Sequence, residues 1–224
     1  MAILFDCDGV LVDSEVIAVE VEMAMLGELG LAYARPEFVA RFLGLHDDAF
    51  RDVLDADCLA FTGAPLPEDF LERVYARRRA EMATRLRAVE GAADAVAAWS
   101  GPKAVASSSR TPFLRRKLEQ TGLWDVFDGH VYSADLVARG KPDPDIFLHA
   151  AAALGVEPAG CLVIEDSANG VLAARAAGME VWGFTGGGHC DAASAGRLSD
   201  AGAERVVCDW PEASALFRSL ERSR

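Results

Sequence analysis

Four short segments carry residues whose types and spacing could do chemistry: Asp6-Cys7-Asp8-Gly9, Ser107-Ser108-Ser109, Lys141-Pro142-Asp143-Pro144 and Glu165-Asp166-Ser167. Asp6, Asp8, Glu165 and Asp166 together would crowd four carboxylates into a small volume, where like charges force at least one to take up a proton. A hard divalent cation resolves that conflict, and an all-oxygen ligand set suits Mg²⁺. Lys141 and the Ser107 hydroxyl have the opposite preference, for an anion, and beside a metal that anion fits phosphate. One Asp is then left to attack phosphorus and form an aspartyl-phosphate. A second Asp two residues on could protonate the leaving oxygen and then deprotonate water.

Taken singly, each segment has a plainer reading. An acid after an apolar run often closes a turn or caps a helix, and Asp13-Ser14 suits a cap for the helix that follows. Pro144 suits the first turn of a helix, and Ser107–Arg110 suits a cap ahead of Pro112. The joint arrangement points to a site: four signals in order, each at the carboxyl end of an apolar run.

Those runs are Ala2–Phe5, Ala104–Ala106, His130–Tyr132, Cys161–Ile164, Val181–Phe184 and Arg205–Val207. Runs this short read as strands buried on both faces of a sheet. Amphipathic stretches of helical length lie between them, at Pro112–Thr121, Pro144–Leu154, Asn169–Ala177 and Ala192–Ala201. The alternation predicts an α/β fold with a doubly wound parallel sheet, whose ligands bind beyond the carboxyl ends of the strands. From Ser14 to Leu86 only helical patterns occur, at Val16–Leu29, Pro36–Phe42, Asp47–Leu54 and Glu68–Met82. That interval is far longer than a strand-to-helix connection. It predicts a helical domain, 14–86, inserted into a core formed by 1–13 and 87–224, with Gly91 marking the return.

The composition excludes several classes. The chain has 224 residues, is 51% hydrophobic and 25% charged, and carries a formal net charge of −13, the balance of a globular domain. That charge disfavours nucleic acid as a partner, and no apolar run reaches membrane-spanning length. The opening residues do not read as a signal peptide. Cys7, Cys58, Cys161, Cys190 and Cys208 are odd in number and form no C-x-x-C pair, against a disulfide scaffold or a structural zinc. The expected location is the cytoplasm, and a monomer is the default.

Phe5-Asp6-Cys7-Asp8-Gly9-Val10-Leu11-Val12-Asp13-Ser14, Val105-Ala106-Ser107, Lys141-Pro142 and Val163-Ile164-Glu165-Asp166-Ser167 resemble the four motifs of the haloacid dehalogenase (HAD) superfamily. The resemblance is closest to the subgroup with a helical cap after the first motif, which includes β-phosphoglucomutases and sugar-phosphate phosphatases. It implies a Rossmann-like core and Mg²⁺-dependent phosphoryl transfer. By motif position it implies Asp6 as nucleophile and Asp8 as general acid/base, with the Asp8 backbone carbonyl on the metal. Ser107, Ser108 and Lys141 would hold the phosphoryl group, Asp166 would ligate Mg²⁺, and Glu165 would do so directly or through water. Asn169 would support the metal loop.

Within the family, Asp8 argues against the metal-free dehalogenases, which lack that acid. Phosphonatases need a cap lysine, whereas Lys103, Lys117 and Lys141 all lie outside 14–86. A mutase should grip a second phosphate with a cap arginine after a glycine; here Gly44-Leu45-His46-Asp47-Asp48 offers acids, which would repel it. A phosphatase acting on a small phosphorylated metabolite, a sugar phosphate or sugar-acid phosphate, is therefore the favoured reading. Arg41, Arg51 and Arg77-Arg78-Arg79 keep a mutase open, and a non-catalytic protein binding phosphometabolites is the third reading. Gly44, Ser109, Arg110 and Asn169 are candidate substrate contacts. Gly186-Gly187-Gly188-His189 reads as a loop at the site's rim, with His189 a weaker contact candidate.

Overall fold

The computed structural model describes residues 1–42 and 47–222. Among them six strands form one parallel sheet: β1 (Ala2–Phe5), β2 (Lys103–Ser107), β3 (Val131–Ser133), β4 (Cys161–Glu165), β5 (Glu180–Phe184) and β6 (Arg205–Val207). Their spatial order is β3-β2-β1-β4-β5-β6, the doubly wound order, which reverses direction beside β1. The helices are α1 (Ser14–Glu28), α2 (Arg35–Phe42), α3 (Asp47–Thr62), α4 (Phe70–Arg85), α5 (Ala92–Ala98), α6 (Thr111–Gln120), α7 (Asp145–Leu154), α8 (Ala168–Ala176), α9 (Ser194–Asp200) and α10 (Trp210–Arg222). No described helix is long and apolar enough to cross a membrane.

β1 and β4 are buried at every residue, which is why they read as unbroken apolar runs. Alternate side chains serve opposite faces. Ala2 and Leu4 join Ala104, Val163, Phe147 and Val171 in one cluster, while Phe5 packs on Phe127, Trp210 and Phe217. Burying one side chain such as Phe5 is worth about 2–3 kcal/mol, more than an exposed ion pair, so these two layers hold the sheet.

The chain divides into two units: Met1–Asp13 with everything from Arg87 onward, which contains the sheet, and the helical segment Ser14–Leu86. In the sheet unit, the residues leaving for the insertion lie beside those returning from it. Val12 forms an antiparallel bridge with Ala88, and the Asp13 N–H donates to the Arg87 carbonyl at 3.0 Å.

Within the helical unit α1 packs on α4, with Arg77 on Glu28 at 2.7 Å, Arg78 on Glu22 at 3.1 Å and Arg85 on Glu20 at 2.5 Å. The buried Asp57 accepts hydrogen bonds from Tyr33 (2.6 Å) and Arg41 (2.5 Å). A buried carboxylate is tolerated when paired in this way, and the pairing ties α2 to α3. Burial, then Asp57, raises the Tyr33 hydroxyl. α3 runs past the expected Leu54 because Phe50, Leu54 and Cys58 continue one buried stripe.

Two helices were not anticipated. α5 is a short run of mostly Ala with little contrast between faces. α10 carries a legible stripe, Trp210, Ala213 and Phe217, all buried, at helical spacing.

Candidate active site

The sheet register assembles the site. Phe5 lies opposite Val105 on one side and Ile164 on the other, so Asp6, the next residue, comes abreast of Ala106 and Glu165. The Asp6 N–H continues the ladder to the Ile164 carbonyl at 3.0 Å. Neighbouring strands lie roughly 4.8 Å apart, which brings the ends of β2, β1 and β4 within side-chain reach of one another.

Lys141, on the loop ahead of α7, bridges that gap. Its Nζ donates to Asp6 Oδ1 at 2.5 Å, Glu165 Oε1 at 2.7 Å and the Ala106 carbonyl at 3.0 Å. Burial works against the ammonium's charge, but Asp6 and Glu165 hold its pKa above the ordinary lysine value. For Asp6, burial raises the carboxyl well above the usual carboxylate range; Lys141 opposes the rise, and Glu165, Asp166 and Asp8 add to it. Glu165 is itself committed. Its Oε2 accepts from the Ser167 N–H and hydroxyl, each at 2.9 Å, and a Cβ on Gly170 would fall 1.8 Å from its carboxylate. The carboxylate therefore lies flat against the first turn of α8.

Asp8 sits in the turn after β1, held by a second ammonium that the sequence reading did not assign to the site. Lys117, from α6, pairs with Asp8 Oδ1 and donates to Ser109 Oγ at 3.0 Å, and Ser109 Oγ donates to Asp8 Oδ2 at 2.7 Å. Ser107 is buried, and its Oγ accepts the Ser109 N–H at 3.0 Å. Cys7, between the two acids, is fully buried, and burial foremost raises its thiol, which removes it as a nucleophile.

Asp166 completes the group. Gly9 has φ +79°, and a Cβ there would fall 1.8 Å from Asp166 Oδ2, so the turn after β1 needs glycine for both backbone and space. His189, from the loop after β5, places Nε2 3.1 Å from the same oxygen. Burial opposes its charge, but bonds to Asp166 and Cys190 outweigh that and push its pKa up to about 11.

A family model for haloacid dehalogenase-like hydrolases matches residues 1–178. The chain belongs to that family. It is 32% identical over 192 residues to 6-phosphogluconate phosphatase of Escherichia coli K12, covering 84% of each chain. It is 34% identical over 182 residues to hexitol phosphatase B of the same organism, covering 80% of this chain and 81% of that one. Among solved structures, a HAD family hydrolase from Deinococcus radiodurans with bound phosphate and sodium is 38% identical, with a TM-score of 0.83 over 97% of this chain and 95% of that one.

Of the anticipated residues, Asp6, Asp8, Ser107, Ser109, Glu165 and Asp166 lie at or just beyond the ends of β1, β2 and β4, and Lys141 reaches them from the loop ahead of α7. Ser108 and Arg110 are exposed beside them, and Asn169 is exposed in the first turn of α8. Asp13, expected as a helix cap, turns Oδ1 to the Gly188 N–H at 2.9 Å. Gly44 lies outside the described residues. Lys141 is not the single fixed cation of the group, since Lys117 is a second. His189 turns to Asp166 rather than to the rim of the site.

The donor set fits a metal cation, on which HAD phosphatases generally depend. Asp6, Asp166 and the Asp8 main-chain carbonyl offer hard oxygens, and Glu165, Asp166 and Asp8 each raise Asp6 against the pull of Lys141, a crowding of acids that a bound cation relieves. Glu165 fits less well as a direct ligand, because both its oxygens already bond to protein.

Proposed function

We propose that the chain is a phosphatase of small phosphorylated metabolites, a phosphorylated sugar or sugar acid, working through an aspartyl-phosphate on Asp6. One observation carries the reading: Asp6 and Asp8, two residues apart after the central strand, are each held by a separate ammonium, Lys141 and Lys117. The two carboxylates thus have separate environments; Asp6, which burial and its acidic neighbours raise, would be kept ionised for attack by the charge of a bound cation, leaving proton transfer to Asp8. The names of the two E. coli relatives support the substrate class.

In the first half-reaction an Asp6 oxygen attacks phosphorus, the bond to the ester oxygen breaks, and Asp8 gives the leaving alcohol its proton. In the second, Asp8 takes a proton from water, the water oxygen attacks phosphorus, and the bond to Asp6 breaks, releasing phosphate. Ser107 and Lys141, which must redirect one of its three N–H bonds to Asp6, Glu165 and Ala106, hold the phosphoryl oxygens. Asp6, Asp166 and the Asp8 main-chain carbonyl would hold Mg²⁺, whose charge allows four acids and a phosphate to share the site. We assign Glu165 to fixing Lys141 and the turn into α8. The helical segment 14–86 serves in this proposal as a cap that selects substrate.

The mutase reading needs an arginine available to a second phosphate. Four of the five arginines that keep it open are paired, Arg41 with Asp57, Arg51 with Asp55, Arg77 with Glu28 and Arg78 with Glu22, which favours the phosphatase; the exposed Arg79 is the position left to a mutase.

The test is phosphate release from a panel of sugar and sugar-acid phosphates, with Mg²⁺ and with EDTA, beside Asp6→Asn. Expected are cation-dependent release by the parent protein and its loss, by at least about a thousandfold, in the variant. Turnover retained by Asp6→Asn would sink the mechanism. Conversion of β-glucose 1-phosphate to glucose 6-phosphate, primed by bisphosphate and without free phosphate, would make the chain a mutase.

A further inference from the structure

We propose that His189 is a positioning residue for Asp166, and through it sets how tightly the site holds its divalent cation; this rests on the reading of Asp166 given above. The loop that carries His189 is tied at three points. The Thr185 N–H donates to the Val207 carbonyl at 2.9 Å, the Gly188 N–H to Asp13 Oδ1 at 2.9 Å, and the Cys190 N–H to the Gly187 carbonyl at 3.0 Å. The imidazole sits between two glycine backbones: a Cβ on Gly9 would fall 2.6 Å from Cε1, and one on Gly187 2.8 Å from Cε1 and 2.9 Å from Nδ1. The side chain is 5% exposed and directs Nε2 to Asp166 Oδ2 at 3.1 Å.

An apolar residue would fill such a slot with no polar atom to satisfy. Among the described residues, His189 Nδ1 is the one buried side-chain nitrogen or oxygen without a hydrogen-bond partner, and such groups call for an explanation. The explanation is at the other nitrogen, where Nε2–H anchors the carboxylate. Cys190 Sγ approaches that same nitrogen at 3.5 Å. Thiol and carboxylate thus share one ring atom, whereas a nucleophile relay would use both. Substrate contact is equally disfavoured, because the ring is buried and its bonded nitrogen faces a protein acid.

Fixing Oδ2 sets the plane of the Asp166 carboxylate, and ligating carboxylates held in this way bind metal more tightly. The test is calorimetric titration of MgCl₂ into the substrate-free full-length protein, its His189→Leu and His189→Gln variants, and Asp166→Asn. His189→Leu fills the slot without a donor and should raise the Mg²⁺ dissociation constant about tenfold or more. His189→Gln retains an N–H and, lacking the imidazolium charge that opposes a nearby cation, should bind Mg²⁺ at least as tightly as the parent and far more tightly than His189→Leu. In turnover, His189→Leu should need correspondingly more Mg²⁺ for half-activation, with kcat at saturating Mg²⁺ falling far less. If His189→Leu does not fold, His189→Phe takes its place as a ring without a donor. Parent-like Mg²⁺ affinity in the donor-less variant overturns the inference, as does a loss confined to kcat at saturating cation. Failure of the underlying reading looks different: either Asp166→Asn binds Mg²⁺ as the parent does, or the parent binds none.

Discussion

Lys117 reaches Asp8 from the last turn of α6, where a lysine reads simply as a complement to the helix dipole. Its ammonium and the Ser109 hydroxyl hold both Asp8 oxygens, so the side chain that must meet the leaving oxygen is fixed from two directions. Lys117→Met should therefore lower kcat for phosphate release on the order of 10- to 100-fold, part of what a general acid/base contributes. Lys117→Arg should restore some of it. Unchanged kcat in Lys117→Met would mean that Ser109 alone orients Asp8. Asp6, Asp8 and Asp166 were legible in the sequence because each follows a strand at a spacing that the register turns into proximity, and Lys141 because a lysine followed by Pro142 and Pro144 marks a loop entering a helix. Lys117 and the orientation of His189 were not. What brings them in is the packing of α6 on the sheet and the path of a glycine-rich loop, and neither leaves a local pattern.

The elements of the sheet unit follow the sequence closely where burial is two-sided, since an unbroken apolar run has few other uses. Predictability fails at α10, whose stripe begins directly after β6. Its first turn carries a reciprocal cap: the Glu212 N–H donates to Asp209 Oδ1 and the Cys208 N–H to Glu212 Oε2, both at 2.8 Å. Asp209 thus caps the helix, and Glu212 reaches back one residue beyond the cap, to Cys208 rather than to Asp209 as in a capping box; these bonds account for an exposed cluster of Cys208, Asp209 and Glu212 without a metal. Asp209→Ala should cost about 0.5–2 kcal/mol, read as a lower urea midpoint with phosphate release unaltered. The cap matters because α10 delivers Trp210 and Phe217 against Phe5, the residue before the proposed nucleophile.

For the molecule as a whole, a crowded acid site has a signature in stability. Asp6 has a higher pKa folded than unfolded, so its contribution is complete below pH about 4 and is lost as pH rises through its folded value. His189, pushed up to about 11, has the same sign in a higher window: complete below about 6.5 and lost on approach to 11. In EDTA, unfolding free energy should fall as pH rises from about 5 to 9, measured by urea denaturation, and Asp6→Asn should flatten the lower part of that slope. A free energy that climbs across the interval would contradict the assignment. The junction of the insertion has a consequence of another kind. The chain departs at Asp13 and resumes at Arg87 on adjacent, hydrogen-bonded residues, and every strand of the sheet comes from outside the inserted segment. Such a joint makes the insert an exchangeable cassette. With a short turn joining Asp13 to Arg87, every ladder and every acid at a strand end would keep its place.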